Sequence, residues 1–265
     1  MNTVRHGFKY WLYRHCPGFV GVFPYFGEHI HFPPDSLLFT LACEQGIFEH
    51  ENLRLLQAAL RPDSWYFDVG ANIGLMSAPI LATQKGVNVV SVEASPVTAK
   101  YLSRTIAGSP NRSRWHLVPK ALGNAQGEIE FFTSATSHGV FDGMKDTGRG
   151  LHTRGVNVPL TTLDAVWAEF GKPPVSMIKI DVEGAEADVL RGGLACLRAC
   201  RPCVLVEWNL DNLRSYGTPP RSLLTFSKEL NYDVLIVSGL ARVNTPEQLR
   251  VQMGISESFL LAPCE

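Results

Sequence analysis

Residues 66–74 read YFDVGANIG: Tyr66 to Val69 form a short apolar strand, Gly70 closes it, and Ala71-Asn72-Ile73-Gly74 lead into a helix. A strand, a tight glycine turn and a helix in succession bring backbone N–H groups close to a ligand. Open α/β sheets bind their ligands at the carboxyl ends of the strands, where this turn lies. A dinucleotide fingerprint needs glycines at offsets zero, two and five, which are held here by Gly70, Asn72 and Leu75. A pyrophosphate loop is therefore disfavoured, although Asn72 suits the turn because asparagine tolerates left-handed backbone. Glu93 ends the next strand, VVSVEAS (Val89–Ser95), about 20 residues beyond the turn, where a carboxylate can bridge two ribose hydroxyls. Asp68 could also cap its turn and Glu93 the following helix. Together they favour an adenosine-type cofactor without a pyrophosphate.

A second block, MIKIDVEGAE (Met177–Glu186), delivers Asp181 to the same edge of the sheet. Glu183 and Glu186 open a helix, where the helix dipole favours acids by about 0.3–1 kcal/mol. That account does not cover Asp181, which precedes the helix at the strand terminus.

Between and around these blocks, strands and helices alternate, as in a mainly parallel sheet covered on both faces. The strands are Trp65–Val69, Asn88–Val92, Trp115–Val118, Ser176–Asp181 and Cys203–Glu207. The helices are Leu75–Thr83, Pro96–Ile106, Thr162–Phe170, Ala185–Leu190, Leu194–Leu197 and Arg221–Leu230. Val234–Val237 and Phe259–Ala262 are two further strands with no clear helix between them, so they are expected to pair antiparallel at the sheet edge. Gly127–Thr133 alternates as an added strand, and Val156–Leu160 resumes after Ser134–Gly155, a loop with five glycines. Loops of that length are usually functional or disordered.

Composition sets the wider class. Of 265 residues, 45% are hydrophobic and 18% charged, and 24 basic against 25 acidic residues leave a net charge of −1. That is an ordinary globular chain, without the basic excess of a nucleic-acid binder. No apolar run approaches the roughly 18–20 residues of a membrane span. The N-terminal stretch mixes Arg5, Lys9 and Arg14 with Phe8, Tyr10, Trp11 and Tyr13, and Cys16-Pro17-Gly18 interrupt it before a signal-peptide core can form. It reads as a helix packed on the main domain, with rest on a membrane surface as the other option. The six cysteines are expected to be free thiols in a reducing, cytoplasmic setting. Cys196, Cys200 and Cys203 lack a fourth ligand for zinc and read as packing residues.

The pair DVGANIG and IKIDVEGAE, with Thr161-Thr162-Leu163-Asp164 before the second, resembles the FkbM family of S-adenosylmethionine-dependent methyltransferases. VEASP (Val92–Pro96), KALGNAQG (Lys120–Gly127) and VLRGG (Val189–Gly193) extend the likeness from about Glu44 to Glu207. The resemblance implies a class I, Rossmann-like fold: a seven-stranded, mainly parallel sheet with helices on both faces and a final antiparallel hairpin. It implies O-methylation of a hydroxyl on a sugar, glycan or natural-product small molecule. Asp68, Gly70, Asn72 and Gly74 would surround the methionine moiety, Glu93 would hold the ribose, and Ala94, Ala121 and Lys120 would meet the adenine. Glu44 or Glu49, in EQGIFEHE, would reach the cofactor's amino group. Residues 1–60 would form a cap, residues 61–265 the methyltransferase domain, and residues 134–155 the acceptor loop.

Asp181 is the first candidate for the base that activates the acceptor, with His138 and His152 in the loop as alternatives. Asp181, Glu207 and Asn209 offer hard oxygens suited to a magnesium ion. Two other classes remain open: a nicotinamide-dependent oxidoreductase, and a non-catalytic S-adenosylmethionine-binding protein.

Overall fold

The structure, a computed structural model, describes residues 3–134, 143–145 and 153–264. In chain order the elements begin with α1 (Thr3–His15), β1 (Val22–Tyr25), β2 (Glu28–His31), α2 (Leu37–Gln45) and α3 (His50–Ala59). The first half of the main sheet follows: β3 (Trp65–Val69), α4 (Ser77–Thr83), β4 (Asn88–Val92), α5 (Pro96–Gly108) and β5 (Trp115–Val118). Next come β6 (Ala121–Gly123), β7 (Gly127–Ser134), β8 (Thr153–Thr162), α6 (Leu163–Glu169), β9 (Val175–Ile180), α7 (Glu186–Arg191) and α8 (Leu194–Cys200). The chain ends with β10 (Cys203–Glu207), α9 (Leu210–Tyr216), α10 (Ser222–Leu230), β11 (Tyr232–Ile236), α11 (Pro246–Met253) and β12 (Ser258–Pro263).

Seven strands form one sheet in the order β11-β12-β10-β9-β3-β4-β5. β5, β4, β3, β9 and β10 run parallel, while β12 runs antiparallel between β10 and β11. This is the class I methyltransferase architecture, with its terminal antiparallel hairpin. The order reverses between β3 and β9, the switch point where α/β sheets open a crevice for ligands.

Strand alternation divides the interior in two. Phe67, Val69, Val90, Ile178, Ile180 and Val204 face one way, against α6 to α10. Tyr66, Val89, Met177, Leu205 and Leu260 face the other, against residues from the first 60, among them Phe23, Phe39, Leu53 and Leu56. Each fully buried side chain of this size contributes roughly 1.5–3 kcal/mol. The amino-terminal segment is thus built into the same core: Tyr13 and Phe32 close on Phe39, and the His31 amide donates to Thr105 Oγ1 at 2.9 Å.

Several elements are not in the sequence reading, among them β6, α9 and α11. α11 lies between the last two strands. Its start is fixed by a capping box, in which Thr245 and Gln248 satisfy each other's backbone N–H groups, and it buries Leu249 and Met253. β7 and β8 form a long antiparallel hairpin, with β6 added parallel to β8 as a separate three-stranded sheet. Among the described residues, no helix is long and apolar enough to cross a membrane. All six cysteines are free, and Cys196 is buried in the core, where desolvation raises its thiol pKa.

Candidate functional site

The turn after β3 owes its shape to Gly70. Its φ is +82°, and a Cβ there would lie 1.8 Å from the Asp181 carbonyl oxygen, so only glycine lets β3 and β9 end side by side. The amides of Gly70 and Ala71 both donate to the Val92 carbonyl, at 2.9 and 3.0 Å. Asn72 then adopts φ +49°, the left-handed backbone expected of it. Its amide donates to Glu93 Oε2 at 2.9 Å, and the Ser95 amide to Oε1 at 2.7 Å. The Glu93 carboxylate is therefore held by backbone from both the β3 turn and the start of α5.

Asp68 is buried beneath this turn. Its Oδ2 accepts from Ser77 Oγ at 2.6 Å, Ser77 and Ser91 meet at 2.8 Å, and Ser91 Oγ accepts from Trp115 Nε1 at 2.8 Å. Desolvation raises the Asp68 pKa, against the pull of Lys179 and the Ser77 hydroxyl. Gly74 serves packing. At φ +89° a Cβ would sit 2.8 Å from the Trp115 ring, and Gly74 is not part of the cavity wall.

A cavity of about 350 Å³ opens at the carboxyl ends of β3, β4, β9 and β10, within the size range of small-molecule sites. Asp68, Gly70, Asn72, Glu93, Ala94, Lys120, Ala121 and Asp181 all line it, joined by Leu38, Leu41, Gln45, Phe48, Glu49, Phe131 and Met144. Glu44 does not. α2 presents Leu38, Leu41 and Gln45 to the cavity, while Glu44, about 100° round the helix from Gln45, is not part of its wall. Of the two glutamates considered for the amino group, the structure brings Glu49 to the cavity. His138 and His152 lie outside the described residues.

The floor near β9 is strongly charged. Lys179 Nζ donates to Asp181 Oδ2 at 2.6 Å, with the two side chains 6% and 28% exposed. Burial opposes the lysine's charge, but Asp181, Glu49 and Asp68 around it outweigh that and raise its pKa above the ordinary value. Desolvation raises the Glu49 carboxyl pKa, opposed chiefly by Lys179. Glu207 is held well above the usual carboxylate range by burial and then by Asp181, Glu183 and Glu186. Lys179 was not singled out from sequence, yet a charged residue inside a strand whose six positions are all buried is a signal that it has partners.

Glu183 and Glu186 part company. Glu183 precedes the helix in left-handed backbone, φ +55°, and its Oε2 accepts from Asn212 Nδ2 at 2.9 Å. Glu186 folds back, its Oε1 accepting from the amides of Val182 at 3.1 Å and Gly184 at 3.0 Å. Burial pushes its pKa up to about 7. Carboxylate oxygens of Asp181, Glu183 and Glu207 all lie within 4.8 Å of one another. Asn209, grouped with Asp181 and Glu207 in the sequence reading, has its side chain engaged elsewhere. Its Oδ1 caps α9 through the amides of Asp211 and Asn212, and its Nδ2 donates to Glu257. Among the described residues, nothing beyond this acidic trio points to magnesium.

The family model "Methyltransferase FkbM domain" matches residues 68–234, which takes in both sequence blocks. No curated protein matches the chain. Among solved structures, a methyltransferase FkbM from Methylobacillus flagellatus KT is 14% identical, with a TM-score of 0.47 over 79% of this chain and 50% of that one. This chain therefore spans half of that protein's length. A SAM-dependent O-methyltransferase from Thermotoga maritima is 12% identical, with a TM-score of 0.43 over 89% of this chain and 74% of that one. An O-methyltransferase from Bacillus cereus in complex with SAH is 12% identical, with a TM-score of 0.43 over 84% and 87%.

Proposed function

Because the chain belongs to the FkbM methyltransferase family, we propose that it binds S-adenosylmethionine and O-methylates a hydroxyl of a sugar, glycan or natural-product small molecule. The observation that carries the cofactor assignment is Glu93, fixed by the Asn72 and Ser95 amides on the cavity wall. Its carboxylate suits a ribose diol. Ala94, Ala121, Leu122 and Phe131 on the same wall suit a purine ring. The carboxylates of Glu49 and Asp68 suit an ammonium group. The residues present therefore fit the cofactor. The free thiols suit the reducing cytoplasm, where we place the protein.

When bound, the cofactor supplies a methyl group on a sulfonium. The chain's own task is to align the acceptor with it, which can contribute roughly 7–11 kcal/mol. Asp181 stands at the strand end facing the cavity, with Lys179 fixing its Oδ2. Its other oxygen takes the proton from the acceptor hydroxyl, a role that typically gives about 10²–10⁴-fold.

Isothermal titration with S-adenosylhomocysteine tests the assignment. Wild type should bind in the micromolar range, about −8 kcal/mol, and Glu93→Ala should weaken binding by about 10- to 100-fold, the loss of hydrogen bonds to a charged group. A folded wild type that does not bind would overturn the cofactor assignment. Binding without turnover across hydroxylated acceptors would favour the non-catalytic alternative, and a thermal shift with a nicotinamide cofactor would favour the oxidoreductase.

A further inference from the structure

α1 packs on the protein by one face only. Tyr10 and Tyr13 turn inward, their rings 5.3 and 6.2 Å from that of Phe39, while Phe8 and Trp11 are 64% and 51% exposed. On that outer face the rings form a ribbon: Phe8 stacks on Trp11 at 6.3 Å and Trp11 on His15 at 5.6 Å. Phe19 and Val20 follow, also exposed. Among the described residues, every exposed phenylalanine, tyrosine or tryptophan belongs to this stretch. Such a concentration marks an interaction surface.

Its charge says what kind. The first 27 residues hold Arg5, Lys9 and Arg14 and no acid, which is +3, and leave −4 for the rest of a chain whose total is −1. Arg14 is turned toward Asp35, at 3.2 Å, while Arg5 is exposed. Exposed aromatic rings with basic side chains and no acid are the composition of a helix lying in a lipid headgroup layer. At 13 residues the helix is too short to span a bilayer.

We propose that α1 docks this protein, in the plane of the interface, onto an anionic membrane surface. The placement bears on the cavity without depending on its proposed chemistry. α1 packs on α2 through Phe39, and α2 presents Leu38 and Leu41 to the cavity, so the docked face lies one helix away from the site.

Co-sedimentation of the full chain with vesicles tests this. The protein should pellet with phosphatidylcholine vesicles containing about 30% phosphatidylglycerol, and far less with phosphatidylcholine alone. Raising salt from about 0.1 to about 0.5 M should weaken binding by screening. The Phe8→Ala/Trp11→Ala double variant should lose it while keeping the wild-type melting curve, since both side chains are exposed. Arg5→Glu/Lys9→Glu should weaken partitioning by about thirtyfold or more. Wild type remaining in the supernatant with anionic vesicles would overturn the proposal, as would equal binding to neutral vesicles or variants that bind as wild type does. So would a wild-type dimer by light scattering that Phe8→Ala/Trp11→Ala converts to monomer, since a second copy would then cover the face.

Discussion

Lys179→Met removes the ammonium from the floor of the cavity and leaves the acids around it in place. The 2.6 Å pair with Asp181 joins a lysine 6% exposed to a carboxylate 28% exposed. Removing one partner of a buried pair typically costs about 3–5 kcal/mol, because the other charge stays buried without compensation. Partial exposure of Asp181 puts the expected loss at the lower end, about 3 kcal/mol. With a urea m value of about 2–3 kcal/mol/M, the unfolding midpoint should fall by roughly 1 M.

The same variant carries a pH signature. Burial already raises the Glu49 and Asp68 pKa values, and Lys179 is the largest influence pulling them down. Without it they rise further above their unfolded values. An acid whose folded pKa is raised favours the folded state only below its unfolded pKa, and that advantage is lost as pH rises through the folded value. The deficit of Lys179→Met relative to wild type should therefore be small near pH 4.5 and grow toward pH 8. Adding Asp181→Asn should restore part of the lost stability. A deficit below about 1 kcal/mol at pH 7.5, or one that does not change with pH, would refute the view that Lys179 stabilises by compensating buried carboxylates.

Gly70→Ala should cost at least about 3 kcal/mol, from left-handed strain together with the clash against the Asp181 carbonyl. A melting temperature lowered by less than about 5 °C would contradict that packing. Glu186, pushed up to about 7 by burial, should make wild-type stability fall as pH rises from about 4.5 through 7. Glu186→Gln keeps an acceptor for the Val182 and Gly184 amides but cannot ionise, so its decline between pH 5 and 8, read by urea unfolding, should be smaller by roughly 2–3 kcal/mol.

What could be read in the sequence was what is locally encoded. Strand β3 with Gly70 and Asn72, and strand β9 with Asp181, announce themselves through apolar runs that end in turn chemistry, so the sheet edge and most of the cavity wall follow. Glu93 is legible from its distance along the chain. Choosing Glu49 over Glu44 requires the rotation of α2 about its axis, which is set by Leu38 and Leu41 packing toward a cavity that the rest of the chain builds. Lys179 acquires meaning only when Glu49, 130 positions earlier, is folded against it. Asn209 and α11 are different cases, since their capping patterns, an asparagine before Leu210 and Asp211 and the run Thr245-Pro246-Glu247-Gln248, lay in the sequence.

The charge balance of the site has a consequence for the proposed reaction. Asp68, Asp181 and Glu49 gather round the Lys179 ammonium, so among the described residues the β9 end of the cavity is net acidic. Such a field favours a cationic ligand in the ground state. Methyl transfer removes the charge of a sulfonium and leaves an ammonium charged, so a carboxylate that held the sulfonium tightly would favour the ground state over the transition state and would not raise the rate. Lys179 offsets part of this field where Asp181 stands, and its bond to Oδ2 fixes the carboxylate's orientation. Under the proposed function, cofactor affinity would then rest on Glu93, the apolar wall and the partners of the ammonium, all remote from the reacting atoms, where binding strength does not oppose catalysis. On this division the proposed function would have Glu93 set how tightly the cofactor is held, and the Lys179–Asp181 pair set how the acceptor is positioned and deprotonated.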